Sequence, residues 1–156
     1  MPNIYDPEFD EPREREGFRA RRARVGHRLG TEKVGISVWE IPAGEKAYPY
    51  HFHLAEEEVL VVLEGEPTLR TPEGVRRLAR GEVVRFPVGE RGAHQLSNEG
   101  PETVRLIAIS NHGAPDVVIY PDSGKLCAAE RLPRSDGRKH YFRLVDEVDY
   151  WDGEEA

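Results

Sequence analysis

Four side chains of the types that bind metal ions occur close together in the sequence: His51, His53, Glu58 and His94. His51 and His53 are two residues apart, so on a strand both imidazoles point to the same face and can reach one ion. Glu58 begins the next apolar run after a short turn, and His94 follows a Pro-Gly turn. Three imidazoles and a carboxylate suit Zn, Fe, Ni, Cu or Mn, and they leave room for water or a ligand. We therefore expect one divalent metal ion on these four residues.

The segments that must position these residues are predicted to be short strands. Apolar and polar residues alternate from about residue 33 onward, as in the run 34–41, where Val34, Ile36 and Val38 share one face. Strand-length runs recur about every 8 to 12 residues with Gly, Pro and Asn between them, which favours an all-β sandwich or barrel. No central segment has the 3.6-residue period of a helix.

Two segments are more apolar than is expected for a strand that has one solvent-exposed face. Residues 59–63 are apolar at every position, which predicts burial on both faces, one toward a barrel interior and the other against a second sheet or subunit. Residues 139–151 are rich in aromatic and aliphatic side chains, so we expect this segment to pack on the barrel or on a partner. Because symmetric dimers are the commonest assembly, the expected oligomer is a homodimer.

Composition limits the class of protein. A chain of 156 residues favours one domain, and the single cysteine, Cys127, excludes a disulfide within the chain. The charged N-terminus has no apolar core of a secretory signal, and no stretch has the length of a membrane span. The net charge of −7 disfavours nucleic-acid binding. We expect a cytoplasmic protein that binds neither nucleic acid nor membrane.

An Arg-rich run at residues 13–24 departs from the acidic average. It has two interpretations, an arm that contacts phosphate or a solvated arm or short helix paired with the acidic C-terminus. The second is favoured, because charge runs near chain ends are usually solvated. The predicted organisation is a charged arm at residues 1–30, a β-barrel at residues 31–122, and a C-terminal packing segment at residues 123–156.

The residues around the four candidate ligands form two spaced motifs. In the first, six residues separate Gly44 from His51, four separate His53 from Glu58, and six separate Glu58 from Gly65. The second runs from Gly81 through Pro87, Gly89 and His94 to Asn98. Both resemble the conserved motifs of the cupin superfamily, with longer gaps before His51 and His94 than are common there. Neither longer gap removes a ligand.

The resemblance implies a double-stranded β-helix, the cupin or jelly-roll barrel, with a divalent metal (Zn, Fe, Mn or Ni) on the four residues. The six-residue gap to Gly65 selects Glu58 over its neighbour Glu57. Residues 48–74, 87–98, 117–125 and 149–154 are similar to a group of short bacterial single-domain cupins. That similarity implies a fold and a metal, but no reaction.

Two functions remain open from the sequence. One is a metal-dependent enzyme of dioxygenase, isomerase or lyase type acting on a small organic ligand, with Glu58, Glu57 or a tyrosine as the general base. The other is a non-catalytic module that binds or senses a sugar or carboxylate. A structural protein with remnant histidines is disfavoured by the complete ligand set, and the chain before residue 30 is too short for a separate helix-turn-helix.

Several further residues are candidates for the pocket wall on position alone: Trp39, Tyr48, Tyr50, Gln95 and Arg85. Strand parity from His51 places Tyr50 on the opposite face, where packing is its expected role. Arg85 could point inward and pair with a ligand carboxylate, or point outward with equal justification. Surface or packing roles are expected for the remaining histidines and the cysteine, which lie outside both motifs: His27, His112, His140 and Cys127.

Overall fold

The structure is a computed structural model that describes residues 1–10, 12–112, 115–131 and 137–155. The regular secondary structure of these residues is almost all β, as the alternating pattern predicts, with one short helix, α1 (Val25–Leu29). Their strands are β1 (Arg21–Ala23), β2 (Val34–Ile41), β3 (Phe52–His53), β4 (Glu58–Glu64), β5 (Thr68–Thr71), β6 (Gly74–Arg77), β7 (Val83–Phe86), β8 (Gln95–Ser97), β9 (Val104–Asn111), β10 (Asp116–Tyr120), β11 (Lys125–Ala129) and β12 (Lys139–Arg143). Single 3₁₀ turns occur at Glu90–Gly92, Pro121–Ser123 and Leu144–Asp146.

The strands form three antiparallel sheets. The largest has the order β1-β2-β9-β4-β7, and the others are β12-β11-β10-β3 and β6-β5-β8. Strand β2 pairs with β9 along its whole length, from Val34 opposite Asn111 to Ile41 opposite Val104. Most neighbours in the sheets are distant in sequence, so the chain crosses repeatedly between sheets that enclose one interior.

The interior holds the main apolar core. Its fully buried members include residues from β2, β4, β5, β8 and β9, namely Ile41, Leu60, Leu69, Leu96 and Leu106. On β4 the inward-facing residues are buried, whereas the alternate residues Val59, Val61 and Leu63 are only half-buried. The predicted burial of this strand on both faces is therefore complete on its inner face and partial on its outer face.

The N-terminal arm packs against the barrel. Strand β1 pairs with β2, and Ala23, Val25 and Val38 form a second apolar cluster, against which Ile4 and Phe9 pack. The described ion pairs of arginines 19–28 are made with acidic residues of the arm and barrel, not with the acidic C-terminus: Glu8, Asp10, Glu40 and Glu45. The favoured interpretation of a solvated, C-terminally paired arm does not describe this arrangement.

The C-terminal segment extends the four-stranded sheet. Strand β11 pairs with β10, and β12 adds to β11, from Lys125 opposite Arg143 to Ala129 opposite Lys139. Beyond this pairing the segment leaves large apolar side chains exposed: Tyr141, Phe142, Leu144, Val145, Val148, Tyr150 and Trp151. In the described part of the chain, no helix has the length and apolarity needed to cross a membrane.

Candidate metal centre

Separate elements bring the four predicted ligands together. His51 and His94 form an isolated antiparallel bridge, in which each backbone N–H donates to the other's carbonyl, at 3.2 and 2.9 Å. His53 lies in β3 opposite Val118 of β10, and Glu58 is the first residue of β4. The imidazole centroid of His51 is 4.8 Å from that of His94 and 5.0 Å from that of His53. The Glu58 Oε2 atom lies 3.6 Å from His53 Nε2 and 3.4 Å from His94 Nε2.

The three imidazoles are oriented by hydrogen bonds from their Nδ1 atoms. The partners are Pro49 O for His51 (2.9 Å), Gly92 O for His94 (2.9 Å) and Asp116 Oδ2 for His53 (2.5 Å). A carbonyl oxygen can only accept, so the Nδ1 atoms of His51 and His94 must carry the proton. In a neutral ring the Nε2 atom then keeps its lone pair, and it is through this lone pair that Nε2 can bind a metal ion.

Two polar atoms at the centre have no hydrogen-bond partner among the described residues. They are Nε2 of His53 and Oε2 of Glu58, and both are inaccessible to solvent. Leaving such atoms unsatisfied costs free energy, and a cation between them would satisfy both. Ligand atoms of His51, His53 and Glu58 all lie within 4.8 Å of one another, so these residues could hold one metal ion. The donor set therefore fits a divalent ion.

Two of the histidines are also in the neutral state that metal binding requires at pH 7. Burial, with smaller contributions from the positive charges of His94 and His53, lowers the pKa of His51 to about 3. Burial likewise lowers the pKa of His94 to about 3. Burial acts in the same direction on His53, but the hydrogen bond to Asp116 and the charge of Glu58 outweigh it and raise its pKa. His51 and His94 are thus neutral at pH 7. At His53, whose pKa is raised, protons compete with a metal ion for the ring nitrogen.

A second group of metal-binding residue types adjoins the first. It consists of His53, Glu56 and Asp116, whose ligand atoms also lie within 4.8 Å of one another. Here the Arg131 guanidinium already compensates the negative charge, with Nε 3.1 Å from Glu56 Oε1 and Nη2 3.5 Å from Asp116 Oδ2. A cation would compete with Arg131 for these carboxylates, so this group is better described as support for His53.

The site opens into a cavity of about 220 Å³, lined in part by His51, His53 and Glu58. Of the residues predicted for the pocket wall, Trp39 and Tyr48 line it. The Tyr48 ring contacts the His51 ring edge-on at a centroid distance of 4.8 Å. Phe86 stacks on His94 with ring centroids 3.7 Å apart. The rings of Tyr48 and Phe86 thus restrain the imidazoles of His51 and His94, in addition to the hydrogen bonds at their Nδ1 atoms.

Three other predicted wall residues do not line this cavity. Tyr50 packs under the Arg70 guanidinium, and the Gln95 side-chain amide donates to the backbone carbonyl of Tyr48. Arg85 donates to Glu57 at 2.8 Å, and the side chains of Arg85 and Glu57 are both exposed at the surface. Of Glu57 and Glu58, it is therefore Glu58 that faces the histidines.

The structure adds wall residues that the sequence analysis did not select. His27, His112 and Cys127, expected to be surface or packing residues, line the cavity, and so do Arg13 and Arg22 of the arm. His140 is exposed, as expected. The side chain of Asn98 donates to the backbone carbonyls of Glu102 and Ile41 and accepts from the backbone N–H of Gly100, so it joins its own turn to the end of β2.

Two buried carboxylates next to the site were also missed. Asp116 bonds His53, and Glu56 lines the cavity beside Arg131. For Glu56 a usable signal existed, since the two-residue spacing between Glu56 and Glu58 is the one that places side chains on the same face of an extended segment. For Asp116 the sequence carries no local sign, because its partner is 63 positions away.

The sequence matches one family model. Residues 37–110 match the model of the cupin domain, a range that contains all four candidate ligands. No curated protein matches the sequence significantly.

Solved structures with the same fold extend the comparison beyond the family match. A candidate sugar phosphate isomerase from Acidithiobacillus ferrooxidans is 29% identical, with a TM-score of 0.77 over 92% of this chain and 88% of that one. A sugar phosphate isomerase of the cupin superfamily from Silicibacter pomeroyi is 18% identical, with a TM-score of 0.79 over 97% and 98%. The polyketide cyclase RemF from Streptomyces resistomycificus is 21% identical, with a TM-score of 0.60 over 71% and 78%.

At 18% and 21% identity the last two structures establish the fold alone. They nevertheless extend the likeness beyond residues 37–110, since the first of these two covers nearly the whole chain. The predicted double-stranded β-helix is confirmed by this likeness and by the all-β sheets. The family match over residues 37–110 and the shared fold support a small protein that contains a cupin domain.

Proposed function

We propose that this protein binds one divalent metal ion through His51, His53, Glu58 and His94, and that it acts on a small organic ligand in the same cavity. The observation that carries the proposal is the pair of buried, unsatisfied atoms, His53 Nε2 and Glu58 Oε2, at the convergence of the three imidazoles. Zn, Fe, Mn and Ni all suit this donor set.

The reaction type that we propose is isomerisation or a related lyase step. Support comes from the 29% identical structure, which is described as a candidate sugar phosphate isomerase. A bound divalent ion supplies Lewis-acid polarisation of a ligand oxygen. Such reactions also need a group that takes and returns a proton near the ligand.

Glu56 is the carboxylate that we propose for this proton transfer. It lines the cavity, is 5% exposed, and is separate from the four metal ligands. Burial raises its pKa, although the charges of Arg131 and His53 oppose the shift. Its Oε1 atom lies 3.1 Å from Nε of Arg131, and the Arg131 charge favours the ionised carboxylate, the form that accepts a proton. Glu57, the alternative named from sequence, is exposed and bound to Arg85.

The test combines elemental analysis with a ligand screen on protein purified without chelator. We expect near-stoichiometric divalent metal in the wild-type protein, and a metal-dependent rise in melting temperature with some members of a panel of sugars, sugar phosphates and small carboxylates. Metal occupancy of only a few per cent would overturn the metal proposal. A ligand that binds but is not converted would instead support the non-catalytic binding module.

We also propose that the protein is a homodimer through its C-terminal segment. Strand β12 is at the edge of its sheet, with β11 as its only neighbour in the described sheets. Edge strands expose unpaired backbone groups, and a second copy of the same strand can pair with them about a twofold axis. The exposed Phe142, Val145 and Trp151 would be covered by the same contact.

A further inference from the structure

The N-terminal arm brings arginines to the wall of the metal cavity. The guanidinium carbons of Arg13 and Arg22 lie 4.8 and 5.2 Å from the centroid of the Trp39 ring. Trp39 contacts Tyr48 edge-on at 5.6 Å, and Tyr48 in turn contacts His51 at 4.8 Å. A continuous set of packed rings therefore connects the two arginines with the candidate metal ligands.

Both arginines donate a hydrogen bond to a neutral oxygen atom. Arg22 lies opposite Trp39 in the β1–β2 ladder, and its Nε donates to Ser37 Oγ at 3.0 Å. Arg13 donates from Nη1 to the backbone carbonyl of Ala47 at 2.8 Å. Within residues 1–10, 12–112, 115–131 and 137–155, no carboxylate oxygen lies within 4.0 Å of the Arg13 guanidinium. Most of its five N–H donors thus remain for another acceptor.

Other cations of the cavity wall differ in this respect. Arg24 is paired with Asp10 at 3.6 Å, and Arg131 with Glu56 at 3.1 Å. These contacts place Arg24 and Arg131 in structural ion pairs. Arg13 therefore differs from Arg24 and Arg131, because no carboxylate of the described residues anchors it.

The cavity wall is positive although the chain as a whole is acidic. Five arginine and lysine side chains line it, against two carboxylates, in a protein with a net charge of −7. Loss of hydration and the positive charge of Arg24 lower the pKa of Arg13. An anion at the same place would oppose this shift and favour the cationic form of Arg13.

We propose that Arg13 and Arg22 form an oxyanion-binding subsite, which holds the phosphate or carboxylate group of the ligand in the metal cavity. The planar guanidinium matches either group with paired N–H donors. The inference rests on the proposed function, because it places the anion in the cavity of the metal ion. It also gives the Arg-rich arm a function, since the arm supplies both residues.

The test measures anion affinity in metal-free protein, so that the metal ion cannot itself bind the probe. Inorganic phosphate, glucose 6-phosphate and malonate are titrated calorimetrically into wild type, Arg13→Gln and Arg22→Gln. Arg15→Gln is the matched control, because Arg15 belongs to the same arm but is not a lining residue of the cavity, and the charge change is identical. Loss of a charge-assisted hydrogen bond predicts that each cavity variant binds about 10- to 100-fold more weakly, with the control unchanged.

The probes and the variants separate the outcomes. Preference for the two phosphate probes identifies a phosphate group, and preference for malonate identifies a carboxylate. Equal affinity in wild type and both cavity variants would overturn the subsite. If metal removal unfolds the chain, the same comparison in metal-loaded protein must show the same loss. Arginine-dependent anion binding without any metal content would overturn the proposed function and leave the subsite intact.

Discussion

Asp116 accepts a hydrogen bond from Nδ1 of His53 at 2.5 Å, although 63 positions separate the two residues. The other oxygen of this carboxylate accepts from the backbone N–H of Ala55 at 3.0 Å. Burial alone would raise the pKa of Asp116, but the hydrogen bonds from His53 and Ala55 lower it. Asp116 therefore stays ionised and keeps Nε2 of His53 directed at Glu58.

Replacing this carboxylate should weaken metal binding without removing a ligand. In Asp116→Asn the His53 ring loses a charged acceptor, so its orientation and its electron donation through Nε2 both weaken. Changes to such supporting residues cost about 10- to 100-fold in metal affinity. Competition with a chromophoric chelator measures the effect. Asp122→Asn is the control, since Asp122 pairs with Arg70 at the surface. Equal metal affinity in the two variants would show that Asp116 does not act on the metal site.

Loss of His94 should lower metal content and stability together. His94→Ala removes one imidazole, and the free energy that a bound ion adds to folding, about 2.7 kcal/mol at a hundredfold excess over Kd, falls accordingly. Melting temperatures with and without chelator isolate this part from the cavity that the variant leaves under Phe86. We expect the chelator-sensitive shift to vanish, whereas the exposed His140→Ala control keeps it. Wild-type metal content in His94→Ala would exclude His94 as a ligand.

The strands and the four converging residues follow from local pattern. Alternation places His51 and His53 on one face whatever their distant neighbours are, and a strand that starts at Glu58 turns Glu57 outward. Turn residues before His94 then direct its strand back toward His51. These features depend on parity and turn chemistry, which neighbouring residues determine.

The arginine wall and the supporting carboxylates could not be predicted in this way. The charge run at residues 13–24 favours solvation, and only the pairing of β1 with β2 turns Arg22 toward Ser37 and Trp39. Arg21, its neighbour, lies opposite Glu40 and pairs with it on the other face. A shift of one residue in the pairing of β1 with β2 would therefore exchange the cavity-facing and outward-facing arginines. Such pairing between strands is set by tertiary contacts, not by local sequence.

A methyl group at Gly92 should disturb the turn that holds His94. A Cβ atom there would lie 1.8 Å from the carbonyl oxygen of Pro87, and the Gly92 carbonyl accepts from Nδ1 of His94. Gly92→Ala forces backbone movement, with an expected loss of about 1–3 kcal/mol in the free energy of unfolding. Metal affinity should fall with it. Gly100→Ala is the control, because a Cβ atom at Gly100 would lie at an ordinary contact distance of 3.5 Å from its nearest neighbour, Oδ1 of Asn98. Denaturant titration of the two variants should separate them, and equal stabilities would contradict the prediction.

Charge on the C-terminal segment should dissociate the proposed dimer. Val145 is 85% exposed in the single chain, so Val145→Asp leaves the packing of the chain itself unchanged. Light scattering at micromolar concentration should report a dimer for wild type and a monomer for the variant. Val75→Asp is the matched control, since Val75 is 67% exposed on β6 in another sheet. A monomeric wild type would contradict the proposal.

The free energy of unfolding of the metal-free protein should decrease toward acidic pH because of His51 and His94. Both have a pKa of about 3 in the fold, against about 6.5 in the unfolded chain. Between these values the unfolded state binds more protons, so the free energy of unfolding falls as pH falls, by up to about 1.4 kcal/mol per pH unit for each histidine. His53 behaves oppositely, because its raised pKa adds stability that is complete below about 6.5 and is lost as pH rises above it.

These opposing effects predict that the contribution of the three histidines to stability is greatest near pH 6.5 when no metal is bound. Denaturant titrations from about pH 4.5 to 8 in chelator measure it, with His94→Gln as the comparison, because an amide does not titrate and should remove about half of the acid slope. Asp116 does not contribute in this range, since its lowered pKa places its loss of stability at more acidic pH. An acid slope equal in wild type and His94→Gln would show that His94 is accessible to protons in the fold, and would contradict its buried, neutral state at the metal centre.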